Sequence, residues 1–180
     1  PEDVLHPLVL QRTNQHIAAR EHFRHGRPPF LVVVSVAISE RPSAVATHIV
    51  AKRTSKDLSV SDFLLKEDVN NIKTYFGIGF DVHRLIKNKK LYLGGINIPF
   101  HSGLKGHSDG DVILHSIIDA LLGAMRKKDI GIFFPDNMKK NKNIRSPKML
   151  KPIIEILNKN NFHINNLDIN LICEQPKVSK

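Results

Sequence analysis

Residues 111–125, DVILHSIIDALLGAM, place apolar side chains at 113, 114, 117, 118, 121 and 122. That is the three-four spacing of a helix with a broad buried face, opened by Asp111. Around it the chain offers strands. YFGIGFDV (75–82) reads as a glycine-marked strand and LYLGGINIP (91–99) as a second, with a Gly-Gly bulge or kink. The turn KNKK (87–90) separates them, so the two are expected to pair as a hairpin. HSGLKGHSDGD (101–111) and RKKDIGIFFPDN (126–137) are loops, and MKKNKN prolongs the second as a solvated charged run. SPKMLKPIIEILNKNN (146–161) predicts another helix, with Ser146 as cap, Pro147 in first position and Pro152 kinking or delaying it. LDINLIC (167–173) is a third strand. The order strand, strand, helix, helix, strand makes the fold class α+β, a sheet layer packed with helices.

The chain has two textures. Residues 1 to about 60 hold one asparagine, five histidines and more arginine than lysine, whereas from 75 onward there are eleven asparagines and lysine dominates. Such a break predicts a boundary: an extension over 1–74 and a folded domain over 75–180. The extension reads as a leader remnant, or equally as misassigned or appended sequence. A leader would place the protein in a plastid-type organelle, and its absence in the cytoplasm. Residues 1 to about 60 are expected to be dispensable for the fold, leaving a core that begins near Tyr75. Within them FLVVVSVAI (30–38), the longest apolar run, is too short to span a membrane and reads as a strand.

With 180 residues there is room for one ordinary core, or for a small domain plus an appendage. The one cysteine, Cys173, excludes an intrachain disulfide and any cysteine-rich zinc site, so metal ligands must be His, Asp or Glu. A net charge of +10 suits an anionic partner, either nucleic acid or a phosphorylated small molecule.

In GFDVHRL (79–85), Asp81 and His83 are two apart on a strand and therefore share a face, with Val82 opposite. Two polar residues on a wet face would explain them. So would two ligands of one divalent metal, which needs a third. His115 lies four residues after Asp111 and four before Asp119, giving a polar stripe on an otherwise apolar helix. Alone, His115 reads as a hydrogen-bonded core residue. Together, Asp81, His83 and His115 make an Asp-His-His set with a coordination position left over, the pattern of a catalytic rather than a structural zinc. In the preceding loop, GHSDGD holds His107, Ser108 and Asp109 between glycines that let a ligand approach the backbone, next to a helix N-terminus suited to an anion. An ordinary cap by Asp109 or Asp111 explains the same residues.

GFDVHRL, GGINIPF, GLKGHSDGDVILHSIIDALLGA, DIGIFFPDN and LDINLICEQPK, in that order over about 75–178, resemble the 2-C-methyl-D-erythritol 2,4-cyclodiphosphate synthase family of the non-mevalonate route to isoprenoids. The resemblance implies a homotrimer with active sites at subunit interfaces, and a phosphorus-oxygen lyase. The 2-phosphate of 4-diphosphocytidyl-2-C-methyl-D-erythritol 2-phosphate attacks its own β-phosphate, closes the cyclic diphosphate and expels CMP. It implies that Asp81, His83 and His115 hold zinc, with Asp81 and His83 also facing the substrate. His107 and Ser108 would hold phosphate, with His107 the catalytic group that stabilises the transition state. Asp129, Ile130 and Gly131 would line the methylerythritol pocket, bordered by Phe134, Pro135 and Asp136. Asp119 would be a further substrate-side acid. Cys173, Glu174, Gln175, Pro176 and Lys177 would hold the cytidine, and Lys105 remains a solvated lysine. Magnesium or manganese would bind the substrate diphosphate.

The family continues past the QPK element with a Thr-Thr-Glu stretch, a strand and a helix. The second metal therefore has no residue assigned to it here. Residues 1–180 alone are expected to give no measurable cyclisation until that segment is restored. Two other readings stand beside this one: another Asp-His-His phosphoester enzyme, and a basic nucleic-acid module. The second calls for arginine or aromatic readout elements, and residues 75–180 show no such motif.

Overall fold

A computed structural model describes residues 30–41 and 72–178. Most of the stretch over 1–74 that the sequence sets apart lies outside the described residues. Its strand does not. β1 (Phe30–Glu40) is the middle strand of a three-stranded antiparallel sheet, between β2 (Thr74–His83) and β7 (Phe162–Ile172). The run read as a strand at 30–38 is thus confirmed, and the expectation that residues 1 to about 60 are dispensable is corrected for 30–40. The physical reason is burial: Phe30, Val32, Val34, Val36 and Ile38, alternate residues on one face, are at most 2% exposed. Composition marked a boundary where backbone pairing does not.

The register runs Phe30 to His83 and Ser39 to Thr74 on one side, and Leu31 to Ile172 on the other, with a bulge in β7 opposite Ala37 and Ile38. A second correction follows. Residues 91–99 do not pair with β2. They fold on themselves as β4 (Leu91–Leu93) and β5 (Ile96–Ile98), a hairpin turning at Gly94 and Gly95. Both glycines have positive φ, +61° and +84°, so the Gly-Gly pair is the turn itself rather than a kink in one strand. β3 (Leu85–Lys87) pairs instead with β6 (Ser102–Leu104), inside the stretch read as loop.

α1 (Val112–Ala124) fulfils the helical reading, with Asp111 at its N-cap accepting the Leu114 N–H. It packs its apolar side against the sheet, where Ile118, Leu121 and Leu122 are fully buried. α2 (Ile130–Phe133) is a single turn within the second predicted loop, capped by Asp129. α3 (Ser146–Lys159) continues through Pro152, and Arg145, not Ser146, occupies its N-cap. β7 begins five residues before the predicted third strand, at Phe162.

α1 lies unusually close to β2. A Cβ on Gly77 would fall 2.0 Å from the Ala120 carbonyl oxygen, and one on Gly79 would fall 1.7 Å from that of Ser116. No side chain fits, and a backbone contact cannot yield as a flexible side chain would. Gly79→Ala is therefore expected to push α1 off the sheet and cost about 1–3 kcal/mol or more of stability, measured by chemical denaturation. A Gly79→Ala variant as stable as the parent would show that the helix can retreat freely.

Candidate metal centre

The two glycines and the two candidate ligands of β2 share one face, because Gly77, Gly79, Asp81 and His83 alternate with Phe76, Ile78, Phe80 and Val82. That face meets α1. The close approach carries His115, one turn into the helix, onto the strand end, where its Nδ1 lies 3.0 Å from Asp81 Oδ2. His83 Nε2 lies 3.1 Å from the same oxygen. One donor atom from each residue falls within 4.8 Å of the other two. The sequence reading of these three residues as one cluster holds.

The cluster is largely buried, with side-chain exposures of 7% for Asp81, 21% for His83 and 12% for His115. Burial pushes the Asp81 carboxyl up, but the two neighbouring rings outweigh it and hold the group well below the usual carboxylate range. Burial opposes charge on His115 as well, yet the hydrogen bond to Asp81 and its charge leave the imidazole raised. His83 Nε2 is a buried nitrogen with no hydrogen bond, despite its closeness to the carboxylate. A shared cation would satisfy it. One oxygen and two imidazole nitrogens, none of them sulfur, suit a zinc-class divalent ion.

Around this centre the loop residues divide into two sets. Ser108 is buried, with its Oγ 2.9 Å from His115 Nε2. His107 stays on the rim, where its Nε2 is 3.8 Å from Asp136 Oδ2 and both side chains are about 70% exposed. Asp111 is spent on structure: besides capping α1 it accepts the Gly94 and Gly95 N–H groups at 2.9 and 2.6 Å, and so holds the β4–β5 turn. Asp119 accepts the Ile130 N–H at 2.8 Å, tying α1 to the Asp129–Gly131 segment. Phe134 and Pro135 are half-buried beyond it. Cys173 Sγ is 3.5 Å from the Pro176 carbonyl, and Glu174, Gln175 and Lys177 are exposed. Register puts this turn at the same end of the sheet as His83, two strands away, or about 10 Å.

Three supporting residues escaped sequence reasoning. Lys89, in the turn KNKK, donates to the Gly106 and Ser108 carbonyls at 3.2 and 3.3 Å and pins the loop from below. Arg145 and Ser146, more than thirty residues downstream, close on Asp109. No local pattern joins residues so far apart in sequence.

Burial pushes the Asp119 carboxyl up to about 6, against the Ile130 hydrogen bond that favours its ionised form. Folding then favours the protonated acid, so the native state loses stability as pH rises from an ordinary aspartate's 3.8 through about 6. Asp119→Asn keeps an acceptor for Ile130 and removes the charge. The variant is expected to match the parent at pH 4 and exceed it by about 1–3 kcal/mol at pH 8 in urea titrations. Equal stabilities at both pH values would contradict the buried-acid reading.

Known proteins resemble the part of the chain that carries the cluster. The bifunctional enzyme IspD/IspF of Pelagibacter ubique is 58% identical over 105 residues, covering 58% of this chain and 28% of that protein. The 2-C-methyl-D-erythritol 2,4-cyclodiphosphate synthase of Clostridium perfringens is 50% identical over 103 residues, covering 57% and 66%. This chain thus spans less than two thirds of the length of either relative. A solved structure described as the bifunctional IspDF from Campylobacter jejuni aligns at 46% identity over 44% of this chain and 22% of that one, with a TM-score of 0.42. A family model matches residues 74–180, from the first residue of β2 through β7 and beyond, and on that match the chain belongs to the YgbB family.

Proposed function

We propose that the protein converts 4-diphosphocytidyl-2-C-methyl-D-erythritol 2-phosphate into 2-C-methyl-D-erythritol 2,4-cyclodiphosphate and CMP. The observation that carries this reading is the convergence of Asp81, His83 and His115 at the mouth of the GHSDGD loop, in a chain of the YgbB family. Zinc held by those three residues would act as a Lewis acid on a phosphoryl oxygen. The chain's own part is positioning. Nucleophile and electrophile belong to one substrate, so folding that substrate into an in-line geometry is the main task. His107, exposed on the rim beside Asp136, reaches over the phosphates, while Ser108 presents its backbone beside them. The Asp129–Gly131 turn and Phe134–Asp136 form the wall for the methylerythritol. The Cys173–Lys177 turn, across the sheet end, takes the cytidine. Magnesium or manganese travels with the substrate diphosphate.

A homotrimer is part of the same proposal. The sheet face away from α1 exposes Phe76 at 75%, Ile78 at 72% and Ile172 at 59%, beside half-buried Leu31 and Val33. An apolar face of that kind suits contact with further copies of the chain. Among the described residues no helix is long and apolar enough to cross a membrane. A plastid-type location rests on residues 1 to 60 containing a leader. Since β1 is the middle strand of the sheet, any leader cleavage falls before Phe30.

His83→Ala and His115→Ala are each expected to abolish stoichiometric zinc, measured by elemental analysis after gel filtration, and zinc affinity should fall with pH as the raised His115 takes up its proton. Unchanged zinc in either variant would overturn the site. In turn, cytidine diphosphate should bind the zinc-loaded protein saturably and at least tenfold more weakly to His83→Ala. Phosphorus NMR on the natural substrate, with zinc and magnesium and with the family's C-terminal segment joined to the chain, reads the reaction class. A cyclic diphosphate with free CMP supports the proposal, and hydrolysis of simple phosphoesters instead would favour the alternative phosphoesterase.

A further inference from the structure

His115 has a different environment at each ring nitrogen. Nδ1 faces the ligand cluster, 3.0 Å from Asp81 Oδ2. Nε2 points away from it, 2.9 Å from Ser108 Oγ and 3.1 Å from Ser146 Oγ. The ionised Asp81 can only accept, so Nδ1 holds a proton until a metal displaces it. A hydroxyl can donate or accept, so these contacts alone leave Nε2 unassigned. Asp109 resolves it. The Ser146 hydroxyl donates a short hydrogen bond to Asp109 Oδ1, which leaves only lone pairs on Oγ to face His115. Nε2 must then be the donor.

Asp109 is fixed as an acceptor. Its side chain is 3% exposed and takes the Ser146 N–H at 2.9 Å, the Arg145 Nε–H at 3.0 Å and the Asp111 N–H at 3.3 Å. Arg145 is held in turn by the Gly95 carbonyl at 3.1 Å and lies 3.7 Å over the Tyr92 ring. Ser146 is fully buried and begins α3. Rotating this hydroxyl would take from the buried carboxylate the shortest of its hydrogen bonds.

We propose that Asp109 and Ser146 are positioning residues for His115: they hold a proton on Nε2 and set the ring plane, so that Nδ1 is the nitrogen offered to a metal. The proposal rests on the metal-site reading above, but its first consequence does not need a metal. Nε2 of His115 carries a proton whether or not zinc is bound. Without Ser146, Ser108 is free to donate to Nε2 instead, and the metal-free ring keeps only the Nδ1 proton that faces Asp81. Outer partners of this kind change metal affinity by about 10- to 100-fold.

Long-range nitrogen-proton NMR on the full chain labelled at histidine tests this, with His115 assigned by its absence in His115→Gln. Expected are an Nε2 proton on His115 in both the metal-free and zinc-loaded protein, and its loss in metal-free Ser146→Ala. The zinc dissociation constant of Ser146→Ala should rise about 10- to 100-fold. A parent His115 protonated on Nδ1 alone would overturn the proposal even if Ser146→Ala fails to fold. An Nε2 proton and zinc affinity both unchanged in a folded Ser146→Ala would overturn it too. A protein that keeps the Nε2 proton but binds no zinc would refute the metal site and leave the relay standing.

Discussion

The contact between α1 and the glycines of β2 governs the rest of the molecule. Backbone against backbone, with the Ser116 and Ala120 carbonyls where Cβ atoms would be, it brings the helix nearer the strand than side-chain packing permits. Two functions follow from one spacing. Ile118, Leu121 and Leu122 cover the core face of β1, and His115 reaches an aspartate on the strand. A helix moved outward by the width of a methyl group would still cover the sheet, but His115 would lose Asp81. Stability tolerates such a shift by repacking; a cluster with donor atoms 3 Å apart does not.

The GHSDGD loop divides its acids by depth. Asp109 and Asp111 are both buried, and both accept backbone N–H groups from elements distant in sequence, Asp109 at the start of α3 and Asp111 at the β4–β5 turn. They lock the loop's floor. His107, on the same loop, remains exposed. A hydrogen-bonded floor with an exposed rim is what a site needs when it must hold ligands in fixed geometry yet admit a large anionic substrate. The capping reading of Asp109 and the anion-site reading of its loop are compatible, because Asp109 meets the first N–H of α3 while Asp111 caps α1.

What could be read from sequence was what local periodicity carries. The three-four spacing of 111–125, the alternation that puts Asp81 and His83 on one face, and the apolar run at 30–38 all became the elements expected. Pairing was not legible. Nothing local says that Phe30–Glu40 inserts between β2 and β7, since strand partners are set by long-range burial, and a change of composition pointed the other way. The hairpin at Gly94 and Gly95 was misjudged for the same reason: two glycines in an apolar run read equally as a kink or as a turn. Ser146 was seen as a cap because serine before proline usually is one, whereas its hydroxyl is engaged by a carboxylate 37 residues earlier.

The most direct test of a metal centre built by that helix-strand contact is X-ray absorption at the zinc edge on the stoichiometrically loaded protein. The predicted first shell holds two imidazole nitrogens and one carboxylate oxygen at about 2.0–2.2 Å, plus one exchangeable light atom. The imidazole scattering should fall to one ring in His115→Ala that has been forced to bind metal. A shell with a sulfur ligand, or with fewer than two imidazoles in the parent, would contradict the assignment of Asp81, His83 and His115.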